Sequence, residues 1–254
     1  MRNTIIKLYS FIIILLLVGL LYYTTIPRKD GFSEKKPQKI AIIFSGRIKG
    51  YANVLPKLQK LIDMYNPVIF CSVNESVFTD EIEQFSKDLE VPKSQINVEL
   101  TLLPSWSEKC NLMNPVLNVY SMFYHQNKAF TLIEEYQKRK KMAFDCILYY
   151  RADMNSTDTL ELKMPLNNTV YLPNDRGYGG FNDRMAYGDF HTMKIYCSLI
   201  YSFEGLCISN EQINSESILK TYLINNEINV VGVPYNTDLH ETRNFKHAMG
   251  ILDK

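Results

Sequence analysis

The chain has 254 residues, 46% of them hydrophobic and 22% charged, which is ordinary globular composition and allows one large domain or two small ones. A formal net charge of +1 leaves no bulk field to favour nucleic acid or an anionic membrane surface. The 12% aromatic content does not exclude single-strand binding by stacking, but no basic stripe accompanies it, and nucleic acid is not the expected partner.

The first predicted element is a membrane anchor. No charge occurs between Lys7 and Arg28, and Leu8 to Ile26 is dense in Ile, Leu, Val and Tyr. About 20 apolar residues in a helix span the hydrocarbon core of a bilayer. The run is longer than the apolar region of a cleaved signal peptide, and its exit, Tyr22-Tyr23-Thr24-Thr25-Ile26-Pro27, offers no small-x-small cleavage site. Residues 1–7 then form a short cytoplasmic tail, 8–26 a signal-anchor and 27–38 a stem of Gly, Ser, Pro and mixed charges. Sequons at Asn74, Asn155 and Asn167 fit a type II orientation with the remainder, 39–254, on the lumenal side.

Lys39 to Phe44 is a continuous apolar run, the mark of a strand buried on both faces. Leu55, Leu58, Leu61 and Ile62 recur at helical spacing, and Pro67 to Val73 reads as a second strand. Thr79 to Leu89 is an amphipathic helix with Thr79 or Asp80 as its cap, and Ile96 to Leu100 alternates as a third strand. A long helix follows over Asn118 to Met142, then strands at Asp145 to Tyr150 and Val170 to Pro173. Helices at Phe190 to Phe203 and Glu216 to Asn225 precede a late strand at Ile228 to Val233, with Ser215 as the expected cap of the second helix. Strands alternating with helices indicate one α/β domain with a mostly parallel sheet.

The five cysteines show no CxxC spacing and the four histidines no HxH or HExxH spacing, so no zinc site is expected. Cys197 and Cys207 either close a loop in an oxidising lumen or act as small buried hydrophobes.

Two stretches carry the chemistry. Cys146 to Tyr150 is an uncharged strand that ends abruptly in Arg151-Ala152-Asp153, and open α/β sheets bind ligands outside the carboxyl ends of their strands. A guanidinium offers a planar fork to phosphate oxygens, and a carboxylate can hold a divalent cation. The second stretch, Gly177 to Gly188, combines glycines with Tyr178 and Phe181, which suit stacking, and with Asn182-Asp183-Arg184. The two are expected to meet at the sheet's rim around an anionic ligand. Ser45-Gly46-Arg47, at the end of the first strand, adds backbone access and a cation. Glu216 is explained as an acid at a positive helix end, with a role as base or acceptor contact as the less economical reading. His240 and Arg243 are candidates to close over a diphosphate.

The order of these segments resembles that of membrane-anchored GT-A-type glycosyltransferases of protists, algae, large DNA viruses and some bacteria. It is carried by Ile40 to Arg47, Ser121 to Tyr124 with Lys128-Ala129, Asp145 to Asp153, Gly180 to Gly188, Glu216 to Leu219 and Val230 to Val233. The resemblance implies a GT-A-like, Rossmann-type sheet flanked by helices and a nucleotide-sugar donor. It implies a glycan, protein or lipid acceptor, transfer assisted by Mn²⁺ or Mg²⁺, and a Golgi, ER, viral or bacterial membrane location. Asp153 matches the position of the family's metal-binding DxD motif, but Arg151 stands where the first acid would be and takes over part of the cation's role. Ser45, Gly46, Arg47, Arg151, Asn182 and Arg184 fall to donor binding, and Asp183 and Glu216 to the base or acceptor-orienting acid. The alternative is a non-catalytic binder of carbohydrate or nucleotide sugar with a degenerate transferase fold.

Overall fold

The structure is a computed structural model that describes residues 37–46, 48, 50–74, 79–156, 158–209 and 211–238. The expected anchor, nearly all of the stem, Arg47, Lys49, His240 and Arg243 lie outside the described residues. Among the described residues no helix is long and apolar enough to cross a membrane.

A seven-stranded sheet runs in the order β3-β2-β1-β4-β6-β5-β7. Its strands are β1 (Ile40–Gly46), β2 (Val68–Asn74), β3 (Ile96–Glu99), β4 (Cys146–Tyr150), β5 (Thr169–Pro173), β6 (Met185–Gly188) and β7 (Asn229–Val233). The first four pair in parallel, β5 pairs in parallel with β7, and β6 alone is antiparallel to both of its neighbours. Strand β6 is not expected from the sequence, where Met185 to Gly188 falls at the end of the glycine-rich stretch. All four of its residues are buried, so it has none of the polar alternation that would mark a half-exposed strand.

Helices α1 (Tyr51–Tyr65) and α2 (Thr79–Asp88) connect the first strands, and α3 (Val116–Lys140) leads into β4. The period of two along β1 sorts the core. Ala41 and Ile43 join Phe123, Phe130 and Ile133 of α3. Phe44 points the other way, its ring edge-on to Phe85 of α2 and to Tyr150. Each large side chain so buried contributes about 1.5–3 kcal/mol relative to exposure.

The helix expected over Phe190 to Phe203 is divided into α4 (Phe190–Cys197), a 3-10 turn over Leu199–Ser202 and α5 (Phe203–Cys207). At the break, Ser198 turns its hydroxyl back to the Lys194 carbonyl at 2.7 Å, a bond that competes with helix continuation. In α6 (Ser215–Asn225) the cap is Asn214 rather than Ser215: the Asn214 side chain accepts from the Ser217 N–H at 2.8 Å. Ser215 already lies in the first turn and gives its hydroxyl to Glu216.

The disulfide joins Cys110 to Cys207 across 97 residues of sequence, and Cys197 is a free, buried thiol like Cys71 and Cys146. Cys197 ends α4 facing the core. Cys207 ends α5 against the 110–113 segment, where the Asn111 N–H meets the Cys207 carbonyl at 3.1 Å.

Candidate functional site at the carboxyl rim

From β1 the chain adds β2 and β3 on one side of the sheet and then returns to place β4 on the other. The β1/β4 junction is therefore a topological switch point, where connections diverge and leave a crevice at the carboxyl ends. The register pairs Ile43 with Tyr149, so continuing it sets Ser45 abreast of Arg151. Gly46 ends β1 with φ +80, and nothing lies within 4 Å of where a Cβ would stand. Such a turn favours glycine and leaves backbone open to the crevice. Ser45 buries its hydroxyl there without a hydrogen-bond partner among the described residues.

Because β6 runs antiparallel, its amino end lies at the carboxyl end of β4, with Tyr150 opposite Met185. That reversal brings Phe181 to Arg184 to the rim: the Arg151 N–H donates to the Arg184 carbonyl at 3.1 Å. Beyond the strand the chain turns, with the Met154 N–H on the Arg151 carbonyl at 3.2 Å. The turn folds Asp153 back onto the guanidinium: Arg151 Nε reaches Oδ1 at 3.0 Å and Nη2 reaches Oδ2 at 2.8 Å. Burial works against the guanidinium charge, but Asp153 first, then Tyr149 and Asp183, hold Arg151 above the ordinary arginine range.

Asp183 is buried and accepts no hydrogen bond among the described residues. Glu216, 8% exposed in the first turn of α6, accepts from the Ser215 hydroxyl at 3.1 Å. Burial raises the Glu216 carboxyl, the Asp183 charge raises it further, and its own N–H, Ser215 and Arg184 partly offset the rise. A buried carboxyl raised in this way, beside a second acid, is suited to taking part in proton transfer.

The glycine loop is what sets Glu216 against Asp183. Gly180 packs directly on the start of α6, where a Cβ would lie 2.0 Å from the Glu216 carbonyl atoms, and the Phe181 N–H donates to that carbonyl at 3.0 Å. Tyr178, at φ +44, stands 59% exposed at the tip of the same loop.

Asn182 has another task. Its amide donates to the Asp175 backbone, the Asp175 side chain and Thr237, at 2.8–2.9 Å, while its oxygen accepts from the Arg184 N–H. Arg184 Nη1 donates to the Thr237 carbonyl at 2.8 Å. These bonds tie the segment after β7 across the rim, a brace the sequence reading missed because Asp175 and Thr237 match no motif. The reading also missed a buried polar set on the α3 and α4 side: Gln126 lies beside the Tyr149 hydroxyl, and Thr192 and Tyr196 bury hydroxyls without a hydrogen-bond partner among the described residues. Tyr149 and Tyr196, their hydroxyls raised chiefly by burial, both feel the Asp183 charge. His125 is structural: it bonds Ser72 and Thr101 through its two ring nitrogens, and burial lowers it to about 4.

Asp153 is the strand-end acid that a metal would require, and both of its oxygens are already engaged by Arg151. Among the described residues no group of three His, Cys, Asp or Glu side chains could hold a metal ion. Two clefts of about 480 and 230 Å³ share Asp158 and Tyr235, and neither is lined by Arg151, Asp153 or Asp183. Opposed acids and a guanidinium converge at the rim, and that chemistry places the candidate site there rather than in the larger cleft.

The family described as "Domain of unknown function (DUF7796)" matches residues 100–248, more than half of the chain. The chain belongs to the DUF7796 family. The matched region of this DUF7796 chain includes β4, β6 and α6, and so Arg151, Asp153, Asp183 and Glu216. No curated protein matches it. Among solved structures it is similar to an active-site mutant of LgtC, at 10% identity and a TM-score of 0.39 over 82% of this chain and 81% of that one. It is also similar to the mannosyltransferase PcManGT from Pyrobaculum calidifontis, solved with GDP-Man and Mn²⁺, at 12% identity and 0.42 over 90% and 66%. A third is a glycosyltransferase involved in glycosylation of the major capsid of PBCV-1, at 9% identity and 0.37 over 77% and 82%.

Proposed function

We propose that this chain is a glycosyltransferase that moves a sugar from a nucleoside-diphosphate sugar to a hydroxyl of a glycan, protein or lipid acceptor. One observation carries the reading: the fixed guanidinium of Arg151 and the opposed acids Asp183 and Glu216 meet at the switch-point rim. A transfer of this kind needs both parts. The bond between the anomeric carbon and the diphosphate breaks with its electron pair on the phosphate oxygen, so a cation must receive developing charge. The acceptor oxygen bonds to the anomeric carbon, and its proton passes to a carboxylate.

In this reading Arg151 receives the diphosphate, and Ser45 and Gly46, with Arg47 beyond them, contact the nucleotide. Asp183 is the base or acceptor-orienting acid, and Glu216 shares its proton. Arg184 and Asn182 hold the donor side through the Thr237 brace. The Cys110–Cys207 disulfide supports a lumenal or extracytoplasmic setting, since disulfides persist in oxidising compartments; the apolar run at 8–26 supports a single-pass anchor, and the downstream sequons its type II orientation.

The test is a panel of nucleotide sugars incubated with the purified full-length chain and candidate acceptors, with release of nucleoside diphosphate as readout. Turnover with at least one donor, lost in Asp183→Asn, is expected. Binding without turnover across the panel would favour the non-catalytic alternative, in which Arg151 marks a degenerate metal motif.

A further inference from the structure

The rim contains its own fixed cation. The fork of Arg151 onto Asp153 uses Nε and one hydrogen of Nη2, and Nη1 makes no hydrogen bond among the described residues. The two side chains keep 20% and 15% of their exposure. A planar bidentate pair holds both partners in one orientation and leaves the outer edge of the guanidinium free to bond an anion. Buried ion pairs roughly break even against apolar replacements, so folding alone does not call for this one.

We propose that Arg151 takes the place of a divalent cation in this chain, held in position by Asp153, which acts as a positioning residue and not as a metal ligand. The inference rests on the glycosyl-transfer reading. The number of acids does not decide it, because a cation bound to substrate phosphates needs only one or two carboxylates. The charge beside the carboxylate does. A cation on Asp153 would have to displace the fork or sit against a guanidinium in a partly dry site, where solvent screens the repulsion poorly. Arg151 already occupies the end of β4 at the switch point, where the leaving phosphate needs positive charge. As the anomeric C–O bond breaks, the electron pair stays on the phosphate oxygen and the free Arg151 N–H groups bond it. The proton of the acceptor hydroxyl goes to the Asp183–Glu216 pair.

Two measurements on the full-length chain test this. The first is a Mn²⁺ titration followed by electron paramagnetic resonance, with Mn²⁺ alone as the probe. No saturable site that Asp153→Asn removes is expected, and a single Mn²⁺ site that disappears in Asp153→Asn would overturn the proposal. The second is donor turnover with and without EDTA. EDTA is expected to leave the rate unchanged. Arg151→Gln is expected to lower kcat roughly 100-fold or more, the size of loss seen on removing one oxyanion donor. Arg151→Lys, which keeps charge without the fork, should recover part of that loss. Asp153→Asn should lower kcat less than Arg151→Gln does and create no metal requirement. Turnover that EDTA abolishes and Mn²⁺ restores would sink this inference alone. No turnover of any donor would sink the glycosyl-transfer reading and the inference with it.

Discussion

Gly180→Ala should be the most damaging single-methyl change in the glycine loop. An added Cβ would stand 2.0 Å from the carbonyl carbon and oxygen of Glu216 and 2.4 Å from the Ser217 nitrogen, all backbone of the first turn of α6. No flexible side-chain end is there to move aside, so loop and helix must separate. Separation strains or breaks the 3.0 Å bond from the Phe181 N–H to the Glu216 carbonyl, a loss of about 0.5–1.5 kcal/mol. Overpacking adds about 1–3 kcal/mol, for a total of about 1.5–4.5 kcal/mol. For a chain of this size that is roughly 3–18 °C in Tm. Gly180 is not in the left-handed region, so the contact and not the backbone angle carries the cost. Gly179→Ala is the control: it has open space but φ +88, and should cost only about 1–2 kcal/mol of conformational strain. Urea unfolding of both variants at constant m-value measures the difference. A Gly180→Ala protein within about 0.5 kcal/mol of the native chain would refute the claim that the glycine loop seats α6.

Glu216→Gln should stabilise the fold at neutral pH. The fold raises this carboxyl, so the folded chain holds the proton more tightly than the unfolded chain does. Glu216 therefore favours folding below the ordinary glutamate range and weighs against it as pH rises through the window up to its raised value. The Tm advantage of the variant should grow from acid toward neutral pH in a thermal-melt series, and a pH-independent difference would contradict the shift. Cys110→Ser opens a loop of 97 residues and should cost about 2–5 kcal/mol in denaturant unfolding. Reductant should lower the stability of the native chain by a similar amount and leave the variant unchanged, and insensitivity of the native chain would speak against the bond.

Much of the sheet was legible in the sequence because its central strands are buried on both faces and read as unbroken apolar runs. Lys39 to Phe44, Pro67 to Val73 and Asp145 to Tyr150 fall within a residue or two of β1, β2 and β4. The long helix expected over Asn118 to Met142 is α3 shifted by two residues. Strand β6 was not legible: four buried residues behind a glycine-rich, charged stretch look like a loop. Its antiparallel direction, which brings Asp183 to Arg151, is set by pairing alone. The partner of Cys207 lies too far away in sequence to be deduced. The glycines at 177–180 suggested a pocket, whereas Gly180 serves close packing on a helix more than 30 residues downstream, a relation visible only in space. Asn182 looked free for a ligand because its partners, Asp175 and Thr237, come from unrelated segments.

The most direct test of the account is a crystal structure of the full-length chain with a bound nucleoside diphosphate. Phosphate oxygens are expected in hydrogen-bond contact with the free edge of the Arg151 guanidinium, between the carboxyl ends of β1 and β4 and beside Gly46. A nucleotide seated instead in the clefts around Asp158 and Tyr235, with Arg151 and Asp183 untouched, would contradict it.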